Sequence, residues 1–238
     1  MWNIFVDELI NGAYVNILIG LRNTLIIAIL GLFIGIIIGT LIAAIKVAEN
    51  RNTIAKVFAR IGDIYTALFR GTPIVVQLLV FHYIVFPVLG INLNAVIEAV
   101  LVFGMNSSAY VAEIMRGGIL AIDKGQTEAG RSTGLTQAQT MLYIIWPQAF
   151  RRMIPPLTNQ CIISLKDTSL LVVIGVGELT RQGQEIIAVN FRAFEVWLTV
   201  AIFYLAMTLS ISAVLRYYER KLMIGRRAVP ASPSDPQM

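Results

Sequence analysis

The chain has 238 residues, 57% hydrophobic and 14% charged, with a mean hydropathy of +0.74 and a formal net charge of +5. A soluble domain of this length carries about a quarter charged residues, so the composition excludes one and calls for membrane spans, as helices or as a closed barrel. Barrel strands alternate apolar and polar positions, whereas 25–45 is apolar almost throughout; the expected fold class is therefore an all-α integral membrane protein.

Residues 1–22 mix Trp2, Phe5, Leu9, Tyr14 and Ile17 with Asp7, Glu8, Asn11 and Asn16, the pattern of an amphipathic segment on the outer membrane surface. Apolar runs of about 20 residues, the length that crosses a bilayer, then predict five spans at roughly 23–45, 71–91, 95–114, 154–176 and 195–215. The first is too long for a signal-peptide core and lacks a small-residue cleavage site, so it is read as retained. It carries Gly31, Gly35 and Gly39 at four-residue spacing, a flat stripe that admits a second helix from this subunit or another. The second span opens with Thr72 as its N-cap and Pro73 at its first helical position. Between the third and fourth spans, 126–147 is a polar, helix-forming loop. Three prolines and no periodicity make 222–238 a disordered tail, leaving 23–221 as the transmembrane domain.

Orientation follows from the basic residues. Segments 46–70 and 115–153 and the C-terminal tail hold fifteen of the 19 Lys and Arg, while the alternate segments hold only Arg22, Arg181 and Arg192. The N-terminus is expected outside and the C-terminus inside. The net charge is this positive-inside bias and implies no nucleic acid. Cys161 stands alone in a span as a small apolar filler. His82 has no second His or Cys at ligand spacing, so a hydrogen-bonded histidine is expected and no metal.

The loop invites a mechanical reading. Gln126–Ala138 is helix-compatible but interrupted at Gly134, and Pro147 ends or kinks the apolar helix that follows. Glu128 can receive a cation, and Ala129 and Gly130 keep the surface low for docking. Two short helices meeting at Gly134 would form a rigid knob. A solvated connector is the plainer alternative.

This stretch resembles the EAA loop of the permease subunits of binding-protein-dependent ABC importers: Glu128, Ala129, Gly134, Ile144 and Pro147 fall at that family's spacing. Gly130 stands for the third alanine and Trp146 for a leucine, and the first change lowers helix propensity by about 1 kcal/mol. Phe69-Arg70-Gly71-Thr72-Pro73 with Gln77, then Asn106 to Glu113, Ile122 to Gln126, Trp146 to Ala149 and Ser164 to Leu170 resemble the polar amino acid branch, over about 20–221. The resemblance implies a type I ABC importer-like permease fold in the bacterial cytoplasmic (inner) membrane. It also implies two cytoplasmic ATPase subunits gripping Glu128–Gly134, a second permease subunit, identical or homologous, and an extracytoplasmic substrate-binding protein.

Polar residues inside the spans suggest a pathway. Asn106, Tyr110 and Glu113 share one helical face, and Gln160, Ser164 and Asp167 form a stripe on the fourth span. A charge near the bilayer centre costs about 2.5–3.5 kcal/mol, so Lys166 and Asp167 must face protein or a water-filled cavity. Lys166 could meet the carboxylate of an amino acid, and Asp167 or Glu113 its ammonium group. The alternative is a buried ion pair that fixes helix register, Lys166 with Glu113. No phosphate-binding loop of the G-x-x-x-x-G-K-[ST] kind occurs in the chain, and no catalytic set can be assembled around one histidine. The expected function is an importer permease without catalytic residues or cofactors, powered by a separate ATPase. An ion-coupled secondary transporter and a non-transporting scaffold or sensor subunit remain as alternatives.

Overall fold

In a bilayer each segment must satisfy its own backbone polar groups. The apolar runs accordingly close as helices in the computed structural model, which describes residues 12–48 and 52–223. In chain order these are α1 (Tyr14–Val47), α2 (Thr53–Gly71), α3 (Ile74–Val88), α4 (Ala95–Leu120), α5 (Lys124–Ser132), α6 (Gln137–Ile174), α7 (Leu179–Asn190) and α8 (Ala193–Met223). Side chains supply many of the starts: Asn52 accepts from the Ala55 N–H, Asn94 from Ile97 and Asp123 from Gly125. α1, α4, α6 and α8 are long and apolar enough to cross a membrane, and α2 with α3 forms a pair bent by 108° at Thr72–Pro73.

The glycine stripe decides how α1 packs. A Cβ on Gly31 would lie 3.0 Å from the Phe103 Cβ, one on Gly35 2.6 Å from the Ser107 Cβ, and one on Gly39 2.7 Å from the Ser108 carbonyl oxygen. The stripe therefore serves an interface inside the chain, with α4. The registers also fix direction. Positions rise together along α1 and α4, so these helices run parallel. On α6, Ser164 meets Ser107 and Met153 meets Gly118, so α6 runs against α4. On α8, Val196 and Val200 cluster with Ile17, and Met207 with Ala28, so α8 runs with α1. Two parallel helices need a return crossing between them, which only α2 and α3 can supply. The described chain thus crosses five times and ends on the face opposite to its start. Its largest core cluster gathers Ile27, Leu78, Val102, Phe103 and Leu171 toward the end of the bundle where α4 begins and α6 finishes.

Several boundaries differ from expectation. Residues 1–11 of the expected surface segment lie outside the described residues, while 14–22 continue unbroken into the first span. The second crossing begins some twenty residues early, because α2 carries Lys56, Arg60, Asp63 and Arg70 and a hydropathy run does not register it. Its exposed face is nonetheless apolar, with Ile54, Val57, Phe58, Ile61, Ile64 and Leu68 at helical spacing. Thr72 is not the N-cap of the next helix. It ends α2 and donates its hydroxyl to the Leu68 carbonyl at 2.8 Å, while Pro73 takes the cap position and Ile74 begins α3. α8 reaches Met223, and the expected disordered tail from 224 lies outside the described residues.

Filling the stripe should be costly. Gly35→Val is expected to destabilise the chain by about 1–3 kcal/mol through overpacking, lowering its Tm in detergent by about 2–12 °C. Gly117→Ala, on α4 with nothing within 4 Å of the added Cβ, should leave Tm unchanged or slightly higher. Equal Tm values for the two variants would contradict the assigned α1–α4 contact.

Candidate functional site: a helical hairpin joined to a polar cavity

The polar loop folds as a tight hairpin. α5 ends at Ser132 with Thr133 as its C-cap, the chain turns at Gly134 with φ of +87°, and Leu135 donates back to the Gly130 carbonyl at 3.2 Å. α6 then starts with a reciprocal cap, in which the Thr136 side chain accepts from the Gln139 N–H and the Gln139 side chain accepts from the Thr136 N–H. Gly130 is the point of closest approach: a Cβ there would lie 2.7 Å from Thr140 Cγ2 and 2.8 Å from Ile144 Cδ1. A glycine in place of alanine at this position costs helix propensity and is what lets the hairpin close. Gln148 donates to the Gln126 side chain at 3.0 Å, and the Arg152 guanidinium donates to the Ala121 carbonyl, tying the hairpin to the bundle. Glu128, Ala129 and Gly134 stand exposed on its outer surface.

Pro147 does not end its helix. The preceding turn, Met141–Ile145, is a wide π-type turn in which the Trp146 N–H reaches the Met141 carbonyl, and the helix continues through the exposed Pro147 to Asp167. The same device precedes Pro87, where the Phe86 N–H reaches the Phe81 carbonyl across Phe81–Val85. One extra residue in the turn relieves the clash of the proline ring with the previous turn.

α6 leads from the hairpin to a cavity of about 290 Å³ inside the span region, lined by Thr72, Pro73 and Ile74 at the break of the bent pair, Asn106 and Tyr110 on α4, and Gln160, Ile163 and Asp167 on α6. Four of the seven expected pathway residues thus meet around one space. Irregular backbone at membrane depth is tolerated where it lines a cavity, and Gln77 braces it here. Its amide nitrogen lies 2.8 Å from the Phe69 carbonyl, 3.0 Å from the Thr72 carbonyl and 2.9 Å from the Thr72 hydroxyl, while its oxygen accepts from Asn106 at 2.9 Å.

The other three expected pathway residues lie elsewhere. Ser164 is buried against Gln160, whose amide it accepts at 3.2 Å. Glu113 is the hub of a charge cluster, 2.5 Å from Lys46, 2.8 Å from Arg116 and 3.6 Å from Arg70, with Asp63 also 3.0 Å from Lys46. The alternative pairing of Lys166 with Glu113 is therefore overturned: three cations from α1, α2 and α4 already surround that carboxylate. Lys166 itself is exposed on α6. Arg70 links the cluster to the cavity, its guanidinium lying 5.7 Å from the centre of the Tyr110 ring. His82 is bound as expected, with Nδ1 2.5 Å from the Glu98 carboxylate.

Sequence reasoning missed Glu178. It is fully buried, caps α7 by accepting from the Thr180 and Arg181 N–H groups at 2.9 and 2.8 Å, and accepts from the Tyr204 hydroxyl at 2.7 Å. Burial raises its pKa against the pull of these donors. The available signal was local: a carboxylate directly after Gly177 and before a run of helix-compatible residues. Nearby, Asn23 donates to the Gly177 carbonyl at 2.8 Å and the Leu179 N–H donates to Thr24, pinning this turn to α1.

The family of binding-protein-dependent transport system inner membrane components matches this chain over residues 35–224. The glutamine transport system permease protein of Escherichia coli is 48% identical over 209 residues, covering 86% of this chain and 92% of that protein. The arginine transport system permease protein of Bacillus subtilis is 34% identical over 206 residues, covering 87% and 92%. Among solved structures, that of an amino acid ABC transporter with histidines superposes with a TM-score of 0.79 at 40% identity, covering 87% of this chain and 94% of the other. An inward-facing methionine ABC transporter, at 19% identity, shares the fold with a TM-score of 0.73 over 87% and 96%.

Proposed function

We propose, because the chain belongs to the family of binding-protein-dependent transport system inner membrane components, that it carries polar amino acids inward through the cavity between α4 and α6, driven by separate ATPase subunits at the α5–α6 hairpin. It is a multi-pass permease of the inner membrane, a subunit of an ABC amino acid importer. The observation that carries the finer reading is continuity: the helix that forms one arm of the exposed hairpin also presents Gln160 and Asp167 to the polar cavity.

The hairpin side is the cytoplasmic side, as the basic residues of 46–70 and 115–153 require, which sets the N-terminus outside and the C-terminus inside. Two ATPase subunits dock at Glu128, Ala129 and Gly134, while Gly130, expected on the docking surface, is buried behind them where it closes the hairpin, and Pro147 stands at the base of the joint. A substrate-binding protein delivers the amino acid at the outer face. Lys166, an exposed charge within a span, needs a neighbour beyond this chain; a second permease subunit supplies it, with the pathway between the two. ATP-driven closure of the motors then biases the bundle between two packings that open the cavity to opposite sides.

The test is uptake by the transporter purified from its own host in gentle detergent and reconstituted into vesicles with its binding protein. ATP inside the vesicles should drive uptake of a polar amino acid with no ion gradient present. Uptake driven by an ion gradient without ATP would identify an ion-coupled transporter, and no flux in either condition would identify a scaffold or sensor subunit.

A further inference from the structure

At the hairpin end of the bundle, α1, α2, α4, α5 and α6 leave a second cavity of about 560 Å³. Its wall includes Lys46, Lys56, Arg116 and Lys124 and, among the described residues, no carboxylate. Glu113 and Asp63 answer Lys46, and Glu113 answers Arg116. Lys56 and Lys124 are exposed, and neither has an ion-pair partner among the described residues. The cavity therefore offers positive charge, at Lys56 and Lys124, that no described carboxylate answers.

A groove of about 380 Å³ adjoins it, sharing Val47, Ala48, Ile119, Gln137 and Met141. Its remaining wall is Ala44, Ala138 and Trp146, and Gln137 is the one polar side chain lining it among the described residues. A ligand that fills both spaces must be anionic at one end and apolar at the other. The place suits such a molecule: α1, a membrane-crossing helix, ends here at Val47, tryptophan favours the headgroup level, and basic pockets between spans hold anionic headgroups. A soluble phosphate would occupy the cavity and leave the apolar groove open.

We infer that this chain holds one anionic phospholipid, with its headgroup phosphate between Lys56 and Lys124 and one acyl chain along the groove beside Trp146. The inference does not depend on the transport reading, because lipid retention is measured without flux. The experiment is native mass spectrometry of the full-length chain, purified with its partners and equilibrated in nanodiscs of equal phosphatidylglycerol and phosphatidylcholine. The wild type should retain one phosphatidylglycerol per chain. The Lys56→Gln, Lys124→Gln double variant should lose about thirtyfold in retention, and the double arginine variant should restore it. Ala44→Trp, which blocks the groove with both lysines intact, should also release the lipid. Equal retention of the two lipids, or unchanged retention in the double glutamine variant or in Ala44→Trp, would overturn the site. Displacement by millimolar inorganic phosphate would assign the cavity to a free anion and overturn the lipid.

Discussion

Glu128→Arg should purify as a folded chain that has lost its ATPase partner and its uptake activity. The side chain is exposed on α5 and makes no ion pair among the described residues, so nothing within the chain pays for the reversal, and Tm should stay within about 1 °C of wild type. At a docking surface the same change puts like charges together. Truncating one member of a buried charge pair costs about 2–5 kcal/mol, and reversal adds repulsion, so uptake should fall by about 10²-fold or more. Co-purification from the native host measures association, and vesicle uptake measures the consequence. An ATPase recovered equally with both proteins would remove Glu128 from the joint, whatever the transport assay reports.

Asp167→Asn should spare assembly and reduce transport. Asp167 lies on the cavity with Asn106, Tyr110 and Gln160, and it is the carboxylate in that wall. Asparagine keeps the shape and one acceptor oxygen but gives up the charge that would pair with a substrate ammonium group. A hydrogen bond to a charged group contributes about 1.5–3 kcal/mol, which corresponds to about a 10- to 150-fold loss in kcat/KM for uptake. ATPase co-purification should be unchanged, which separates this variant from Glu128→Arg. Lys166→Met should also lower uptake if the lysine faces the shared pathway from its exposed position. Wild-type transport by both variants would move the pathway away from this stretch of α6.

The legible parts of this fold were those written in periodicity or in local chemistry. The α1 stripe announced a close helix contact, and the turn at Gly134 announced a hairpin, because both rest on a missing Cβ. The positions 106, 110, 160 and 167 reached one cavity because helical-face arithmetic holds over short distances on unbroken helices. Other features were illegible for equally physical reasons. α2 hides its crossing role behind four charged residues, two of which, Asp63 and Arg70, enter the Glu113 cluster. Glu113 shares a face with Tyr110 on paper, yet Lys46, sixty-seven positions away in sequence, holds it at 2.5 Å. Pairings of that kind depend on tertiary register, which no local pattern encodes. Pro147 misled for the opposite reason: the rule that proline breaks helices is local, and the wide turn before it removes the conflict.

That unbroken passage through Pro147 has a consequence in lengths. From Gln137 to Asp167 the helix advances about 1.5 Å per residue, or about 45 Å in all. A rotation of about 10° at the hairpin end, with the helix stiff, would sweep Asp167 sideways by about 8 Å, which is wider than an amino acid backbone. The π-type turn at Met141–Ile145 sits close to the fulcrum, where added compliance subtracts least from the stroke, whereas Pro155 and Pro156 stand near the midpoint, where each removes a backbone hydrogen bond and compliance subtracts more.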